Sequence, residues 1–545
     1  MKIFGTIYPF IETGEQSFKL GRHVANYEFF RSLLSESSFD EFHVFCMSVS
    51  HFTMTKNRLL KESIPASQKQ KVKLFLYNHL VDQMRSTLYH VFHLGGWGYF
   101  FPGLVYLRNK YAKNKFPITG LIHSLNGIET NYHALKICTA PLLAYDTIIC
   151  SSNAGKKVLE NIFSSINKQD IAPAYQGAIT IIPLGINEAL LKTPPKKECR
   201  NRLSLAEKDI VFLHVGRLSP NTKADLYPLI KVFNKLVRNT QDKSLKLILA
   251  GGADSKQAQL VNGMISEFGL EKRVQVVNNF TDALKPDLYG ASDIYVSLSD
   301  NLQETFGISV IEAMAAGQPC VVSDINGYRE LIEHKANGFK IPTLWTDRLL
   351  LTELADIMDF ETMQLFLAQC MAIDTEALYS CLNELILDDN LRTVTGENAQ
   401  KTVKQNYLWR HIIKKYEELW DSLYEQSVSY PNEIPIKENP FLNDYLSLFK
   451  HYPTAAITDN DMCAITEDGK EVLKTGKIPL TYSNIGSIIT GETVIKILNY
   501  ISEKPPSIGG IVSLESLPVK QDEIRYSLLW MAKYSLIHIN KGKPS

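Results

Sequence analysis

The chain has 545 residues, of which 58 are Lys or Arg and 58 are Asp or Glu, so its formal net charge is zero. With 45% hydrophobic and 21% charged residues, it has the composition of an ordinary globular protein. Its length exceeds what one hydrophobic core accommodates, and we expect about two to four domains. The lack of a basic excess argues against a general nucleic-acid-binding protein.

Three further features bear on the compartment. The sequence opens with Met1 and a short apolar run that is typical of a β-strand and too short for a signal peptide. No run of about twenty apolar residues occurs, so no transmembrane segment is predicted. The eight cysteines are scattered without a Cys-x-x-Cys pair, which favours buried, reduced thiols in a cytoplasmic protein over a zinc site.

The first part of the chain alternates predicted strands with predicted helices. Short apolar runs indicate strands over 3–7, 42–47, 90–94, 118–123, 147–150 and 179–182. Helical periodicity is present over 23–34 and over 152–162, where Ser151 or Ser152 can cap the helix. Such alternation predicts a parallel sheet with helices on both faces.

The alternation then begins again. Strands are predicted over 210–215, 245–251, 274–277, 294–297 and 321–322, and helices over 226–237, 256–268, 286–289 and 308–316. Residues 345–426 are mostly helical in pattern and end in an amphipathic helix. We therefore predict an α/β protein with two tandem Rossmann-like domains, residues 1–187 and 188–406, and a donor cleft between them.

The remaining residues divide into three parts. A helix over 407–426 follows the second domain, and a proline-containing linker over 427–440 follows the helix. In the extension, residues 441–545, the patterns predict helices over 493–502, 508–515 and 522–534, a strand over 536–539, and a hairpin over 464–472 with an Asp-Gly turn. This order indicates a small α+β domain that resembles a winged helix.

Residues 303–317 form the most informative run, because they place the carboxylates of Glu304 and Glu312 eight positions apart. The apolar stretch at the end of the run predicts a buried helix that opens at Gly307 to Ser309, with Glu304 in the preceding loop. The free N–H groups of a helix N-terminus bind anions, and carboxylates accept hydrogen bonds from hydroxyl groups. A sugar nucleotide, in which a diphosphate joins two sugars, suits this layout.

Two cations in the loop 216–225 point to the same ligand. Arg217 and Lys223 follow a predicted strand of the second domain, and fixed cations there can stabilise the charge that develops on a departing diphosphate. Such cations can replace a metal ion. No Asp-x-Asp sequence falls in a suitable loop of either domain, so we expect no essential metal and no other cofactor.

The run Asp300 to Gly307, together with 311–317, resembles the Glu-x7-Glu signature of retaining glycosyltransferases of the GT-B fold, family 4. Residues 323–330 and 338–343 also resemble a subgroup of that family, and the resemblance covers roughly residues 1–426. It implies the GT-B fold, with a last helix that crosses back onto the first domain. Many relatives carry a Gly-Gly pair in the loop after the first strand, where this chain has the single Gly14.

The resemblance also implies roles for individual residues. The first glutamate contacts hydroxyls of the donor sugar, the second contacts the ribose, and a histidine at a strand end faces the sugar or the acceptor. Carried over residue by residue, it implies a catalytic set and a donor-binding set: His123, Arg217, Lys223 and Glu304 for catalysis, and Phe306, Gly307, Ile308, Ser309 and Glu312 for donor binding, with no metal ligand.

The sequence thus predicts a hexosyltransferase that uses a nucleotide-diphosphate sugar and, by resemblance, retains the anomeric configuration. The acceptor stays open between a glycan, a lipid and a protein or peptide, and residues 52–70 are the expected acceptor loops. No nucleic-acid partner is expected. The extension either presents an acceptor or partner, or stabilises or oligomerises the enzyme.

Two other functions are compatible with this fold. A regulator that responds to a sugar nucleotide could use the extension to bind DNA, but its predicted recognition helix opens with Asp522 and Glu523 and carries only Arg525 and Lys533 as cations. A glycan phosphorylase shares the fold, but it would need a lysine site for pyridoxal phosphate that the sequence does not reveal.

Overall fold

The computed structural model describes residues 1–7, 10, 21–61, 64–346, 348–430, 436–479, 481–514, 517 and 520–541. They form two compact units. The larger unit comprises Met1–Phe45 and Asn57–Asn439, and the smaller unit comprises Cys46–Lys56 and Pro440–Ser545. Gly14 and the prolines Pro431 and Pro435 lie outside the described residues.

The first Rossmann-like domain of the larger unit is built on a sheet with the strand order β3-β2-β1-β4-β5-β6-β7, and each neighbouring pair from β2 to β7 is parallel. Its strands are β1 Ile3–Ile7, β2 Glu41–Cys46, β3 Val72–Leu76, β4 Val91–Leu94, β5 Ile118–Leu121, β6 Thr147–Cys150 and β7 Ala178–Ile181. The helices of this part of the chain are α1 Gly21–Glu36, α2 Val49–Lys61, α3 Ala66–Gln70, α4 Leu80–Ser86, α5 Phe101–Tyr111, α6 Thr130–Thr139 and α7 Asn153–Lys168.

The second domain has a parallel sheet with the order β10-β9-β8-β11-β12-β13. Its strands are β8 Asp209–Val215, β9 Ser244–Gly251, β10 Val274–Asn278, β11 Ile294–Ser297, β12 Cys320–Ser323 and β13 Gly338–Ile341. Its helices are α8 Lys196–Arg202, α9 Tyr227–Asn239, α10 Ser255–Glu267, α11 Lys285–Ala291, α12 Ile308–Ala315 and α13 Tyr328–Leu331. An antiparallel pair and four helices follow: β14 Thr343–Leu344, β15 Ala372–Ile373, α14 Phe360–Gln369, α15 Thr375–Leu387, α16 Asp389–Asn406 and α17 Trp409–Ser429.

These two sheets fix where ligands can bind. Strand order reverses between β1 and β4 in the first sheet and between β8 and β11 in the second. In such open sheets the loops beyond the carboxyl ends of the strands diverge at the reversal and leave a crevice. The two predicted Rossmann-like domains are therefore confirmed, and their crevices are the places to search for a site.

Helix α17 returns to the first domain, as the resemblance implied. The indole of Trp420 is fully buried and packs against Phe4 at 5.5 Å and Phe39 at 5.7 Å between ring centroids. Its Nε1 donates a hydrogen bond to Thr119 Oγ1 of β5 at 3.2 Å. Burying an indole with a satisfied N–H stabilises this contact by about 3 kcal/mol or more, so α17 fastens the end of the second domain to the first sheet.

The smaller unit combines helices with one antiparallel strand pair. Its elements are α18 Tyr445–Leu448, β16 Met462–Ile465, α19 Glu467–Thr475, α20 Gly491–Glu503, α21 Ile508–Val512, α22 Gln521–Lys533 and β17 Ile537–Asn540. Its apolar core includes Val494, Leu498, Leu528 and Met531. The predicted helices and terminal strand are confirmed, whereas the winged-helix resemblance stays a prediction.

Two sequence expectations are wrong. The predicted hairpin over 464–472 is a strand followed by a helix, because Thr466 Oγ1 caps α19 by accepting a hydrogen bond from the Gly469 amide at 3.1 Å. The Asp-Gly pair therefore lies in the first turn of α19, and β16 pairs with the distant β17. The predicted acceptor loops over 52–70 are mostly the helices α2 and α3.

Two further observations concern the cysteines and the apolar character of the helices. All eight cysteines are free thiols, and all but Cys370 and Cys381 are buried, as expected. None of the helices in the described part of the chain combines the length and the apolar character needed to cross a bilayer.

Candidate functional site

A cavity of about 640 Å³ lies at the strand reversal of the second sheet. We call it the donor cavity. The loops after β8 and β11, the N-terminal ends of α1 and α12, and the segment after β10 contribute its walls. Four basic and three acidic side chains line it: Arg22, Arg217, Lys223, Lys285, Asp282, Glu304 and Glu312. The cavity therefore carries a small excess of positive charge.

Lys223 and Glu304 form an ion pair at the bottom of this cavity. The Nζ atom lies 2.6 Å from Glu304 Oε2 and 2.9 Å from the hydroxyl of Tyr328. Burial lowers the pKa of Lys223, but the Glu304 carboxylate outweighs it and raises the pKa above its ordinary value. Burial likewise raises the pKa of Glu304, and Lys223 reverses this effect so that the net pKa is lowered. Both groups are therefore charged at neutral pH, as a carboxylate that accepts sugar hydroxyls requires.

Glu312 makes the same kind of pair on the other side of the α12 N-terminus. Its Oε1 is 3.0 Å from Lys285 Nζ, and its Oε2 accepts a hydrogen bond from the Tyr289 hydroxyl at 2.8 Å. Glu312 is the principal reason that the pKa of Lys285 is raised. Lys285 and Tyr289 thus fix the rotamer of Glu312 and leave its carboxylate at the cavity wall.

Arg217 differs from Lys223 because it makes no ion pair among the described residues. Its Nη2 donates to the Thr222 carbonyl and to Gln303 Oε1, both at 2.8 Å. Burial lowers its pKa, but from so high a value that the guanidinium stays charged. Arg217 is therefore a fixed cation that feels the Glu304 carboxylate at longer range but has no direct ion pair among the described residues, and it faces the donor cavity.

Helix α12 supplies backbone donors to the same space. Gly307, the residue before the helix, has φ +115°, and a Cβ built there would lie 2.6 Å from the Tyr328 ring. Only glycine fits this turn. Phe306, Ile308 and Ser309 line the cavity around it. These are the predicted donor-binding residues, and they lie together with Glu312.

His123 lies two residues beyond β5, where the sequence predicted a longer strand. Its Nε2 donates a hydrogen bond to the Gly95 carbonyl at 3.1 Å and lies 2.8 Å from Asn26 Oδ1. Burial lowers the pKa of His123 to about 4, so the ring is neutral at pH 7. A neutral ring already held by two acceptors can orient a ligand, but it is not a proton donor to the leaving group.

Four side-chain hydrogen bonds join the loop 217–225 to residues 299–303. Ser299 Oγ donates to the Lys223 carbonyl at 3.0 Å, and Asn301 Nδ2 donates to the Asn221 carbonyl at 2.6 Å. Asp300 Oδ2 accepts from the Asp225 amide at 3.1 Å, and the fourth bond is that between Arg217 and Gln303. The loop that carries both cations is thus fixed to the loop that carries Glu304.

Thr305 connects this second loop to the first domain. Its Oγ1 donates to the His123 carbonyl at 2.8 Å, and its own carbonyl accepts from Ser152 Oγ at 2.6 Å. Glu330 accepts hydrogen bonds from the amides of Asn153 and Ala154, at 2.9 and 3.0 Å, at the N-terminus of α7. The two domains are therefore closed upon one another around Glu304.

A second cavity, of about 690 Å³, lies at the strand reversal of the first sheet. Residues 95–100 after β4, the start of α6 and Phe360 of α14 contribute to its walls. It shares Arg22, His123 and Ser124 with the donor cavity. Two ligands, one bound in each cavity, would therefore meet at His123.

Sequence analysis identified the acidic pair and the cations because they stand in one recognisable run. It missed Gln303, which stands directly before Glu304 in that run, and it missed four residues that reach the donor cavity or its ion pairs from other elements: Arg22, Lys285, Tyr289 and Tyr328. No spacing rule connects these four positions to Glu304 or Glu312, so only the fold reveals them. Across the described residues, no group of three or more His, Cys, Asp and Glu side chains could hold a metal ion.

Solved structures establish the fold. A structure of HepE from Anabaena with UDP and glucose is 18% identical, covers 77% of this chain and 100% of its own, and superimposes with a TM-score of 0.52. Sucrose-phosphate synthase from Thermosynechococcus elongatus is 15% identical, with 78% and 100% coverage and a TM-score of 0.52. The fold is that of the GT-B glycosyltransferases.

Sequence relatives point the same way for part of the chain. Residues 195–359 match the family described as "Glycosyl transferases group 1". An uncharacterized glycosyltransferase of Methanocaldococcus jannaschii is 24% identical over 294 residues, 54% of this chain and 61% of its own length. D-inositol 3-phosphate glycosyltransferase of Thermobispora bispora is 25% identical over 190 residues, 33% and 42% respectively. The aligned part thus spans less than two thirds of either relative.

Proposed function

We propose that this protein transfers a hexose from a nucleoside-diphosphate sugar to an acceptor, with retention of the anomeric configuration. The observation that carries the proposal is the charge arrangement of the donor cavity. Glu304 and Glu312 are each held by a lysine on either side of the α12 N-terminus, while Arg217 forms no direct ion pair within the described part of the chain. A diphosphate fits Arg217 and the helix N-terminus, and the glutamates suit the hydroxyls of the two flanking sugars.

The mechanism follows from the same contacts. Arg217, Lys223 and the α12 amides would stabilise the charge that develops on the β-phosphate as the glycosidic bond breaks. Glu304 would orient the sugar through its hydroxyls. Among the residues that the structure describes, no side chain stands as an evident base, so we propose that the departing phosphate oxygen takes the acceptor proton on the same face. These cations would take the part that a metal plays in other transferases, so we propose that the reaction needs none.

The second cavity offers the space for the acceptor, since it meets the donor cavity at His123. HepE was solved with UDP-glucose and with UDP and glucose, which makes UDP-glucose the first donor to test. The extension stays assigned to recruitment or stabilisation. Because Cys46–Lys56 belongs to the same unit as Pro440–Ser545, deletion of 441–545 would leave that unit incomplete.

The experiment is a panel of nucleoside-diphosphate hexoses scored for slow hydrolysis, with and without added chelator, followed by Arg217→Ala on the best donor. We expect turnover to fall by about two to three powers of ten, as for loss of one transition-state contact. Arg238→Ala, at an exposed position of α9, is the matched control. Hydrolysis of no donor, or near-normal turnover of Arg217→Ala, would refute the proposal.

A further inference from the structure

The second cavity has walls of a distinctive kind. Trp97, Tyr99 and His133 contribute aromatic rings, and Tyr99 and His133 lie edge to face with centroids 4.6 Å apart. Trp97 and His133 are 6.2 Å apart in the same arrangement. Tyr99 is 69% exposed, so its ring is not a core residue. A large exposed ring beside a cavity provides a flat apolar face for a ligand.

A carboxylate stands at the edge of these rings. Glu129 Oε2 accepts a hydrogen bond from the Tyr99 hydroxyl at 2.6 Å and lies 3.5 Å from His133 Nε2. The phenol therefore keeps Glu129 in place, and the hydrogen bond to Glu129 is the main cause of the raised pKa of Tyr99. A carboxylate held in this way has further lone pairs for hydroxyl donors.

The turn after β4 brings backbone to the same surface. Residues 95–98 read Gly-Gly-Trp-Gly, and a Cβ at Gly98 would lie 2.6 Å from the His133 ring. A Cβ at Gly95 would lie 2.8 Å from the Asn26 amide. The glycines thus let the chain pass directly beneath the rings, and they leave the cavity open between Tyr99 and His123.

We propose that the second cavity binds a neutral sugar ring of a glycan acceptor, which stacks on Tyr99 and donates hydroxyl hydrogen bonds to Glu129. This rests on the proposed function, because it places the acceptor hydroxyl at His123, where the two cavities meet. A sugar ring has an apolar face and a rim of hydroxyls, and the wall offers a ring face with an acceptor at its edge.

The wall fits other acceptors less well. A lipid chain needs a continuous apolar surface, but Asn26, Thr130 and Glu129 interrupt this one. A phosphate or carboxylate acceptor would be repelled by Glu129, and Arg22 is shared with the donor cavity. An extended peptide usually adds to a free sheet edge, whereas this cavity lies at strand ends.

Binding can be tested without knowing the natural acceptor. Saturation-transfer NMR would measure methyl α-glucoside, methyl α-mannoside and N-acetylglucosamine against the full-length protein with UDP present, with octyl phosphate and a capped Gly-Ser-Thr-Gly peptide as competing classes. Tyr99→Ala and Glu129→Gln should each weaken sugar binding about tenfold, the size of one stacking contact. Tyr132→Ala is the control, because Tyr132 is exposed on the same helix as His133 but does not line the cavity.

Measuring donor hydrolysis distinguishes a failure of this inference from a failure of the proposed function. Hydrolysis of the best donor from the panel should stay within about twofold of wild type in Tyr99→Ala and Glu129→Gln, because neither side chain lines the donor cavity. The inference is overturned if no sugar binds, if sugar binding is equal in the variants and the control, or if only octyl phosphate or the peptide binds. Failure of donor hydrolysis in the wild type would instead refute the transferase.

Discussion

The two cavities of the larger unit differ in how their side chains are held. In the donor cavity the functional carboxylates are already neutralised: Glu304 by Lys223 and Glu312 by Lys285. In the second cavity the wall consists of rings and glycines, and its carboxylate is held by a phenol. Charge pairs on rigid elements suit a ligand part that is always the same, such as a diphosphate. A wall of rings can be altered by single substitutions. We therefore expect the donor cavity to bind a constant part of the ligand and the second cavity to determine acceptor specificity.

The strongest test of this contrast separates the roles of Lys223 and Arg217 in the donor cavity. Lys223→Met would leave the largely buried Glu304 carboxylate without its ion-pair partner, with the Phe306 amide still donating to it, which costs about 3–5 kcal/mol of folding free energy and removes the lysine charge from the site. We expect donor hydrolysis to fall about a thousandfold. We also expect the urea concentration at the midpoint of unfolding to fall strongly. Arg217→Ala should lose turnover with a smaller shift, because Arg217 has hydrogen bonds to Thr222 and Gln303 but no ion pair within the described residues.

The double variant Lys223→Met with Glu304→Gln serves as the control for the buried charge. It should recover most of the folding free energy and none of the turnover. If Lys223→Met alone unfolds at the wild-type urea concentration, then the ion pair does not hold Glu304, and the contrast between the two cavities fails.

Asp300 provides the second largest effect, on stability and its dependence on pH. Burial raises the pKa of Asp300 to about 7, and its Oδ1 has no partner among the described residues. The folded pKa lies above the unfolded one, so the contribution of Asp300 to stability is full below about pH 4 and is lost as pH rises through 7. Asp300→Asn removes this loss of stability. We expect the free energy of unfolding to rise by up to about 4 kcal/mol at pH 8, and this difference should vanish near pH 4.

Urea unfolding at several pH values measures this difference. Asp324→Asn, at a partly exposed carboxylate paired with Arg329, should change stability little and without that pH trend. A constant difference between Asp300→Asn and wild type from pH 4 to 8 would contradict the shifted titration.

Asn301→Ala tests the bonds that join the two donor loops. Asn301 Nδ2 donates to the Asn221 carbonyl at 2.6 Å and its Oδ1 accepts from the Gln303 amide at 2.8 Å, so the variant removes one of the four bonds between the loops and loosens the loop that carries Arg217 and Lys223. We expect about a tenfold fall in turnover, corresponding to about 1.4 kcal/mol and so to the net contribution of one or two hydrogen bonds, with the Kd for UDP raised in parallel. Asn398→Ala removes a similar bond, to the Ala336 carbonyl, at an exposed position and should leave both unchanged. Equal behaviour of the two variants would show that the loops do not need this bond.

Much of this fold was predictable from sequence because strands in a parallel sheet are short apolar runs between helices. The strand Thr147–Cys150 and the restart at β8 are examples, and the acidic pair could be placed at the α12 N-terminus. Elsewhere the prediction failed because two local structures compete for the same residues. The Asp-Gly pair at 468–469 has the composition of a turn, but Thr466 caps a helix there. The partners Lys285 and Tyr328 could not be predicted, because tertiary packing alone brings Lys285 to Glu312 and the Tyr328 hydroxyl to Lys223.

The smallest expected effect comes from Thr305, which connects the donor loop to the first domain. Thr305→Val keeps the shape of the side chain but removes the hydrogen bond to the His123 carbonyl. The contact lies between the domains and touches no predicted phosphate position, so turnover at saturating donor should fall only a few-fold. Thr305→Ser retains the hydroxyl and should behave as wild type in steady-state kinetics. If Thr305→Ser loses activity while Thr305→Val retains it, packing of the methyl group, and not the bond to His123, is what aligns the two cavities.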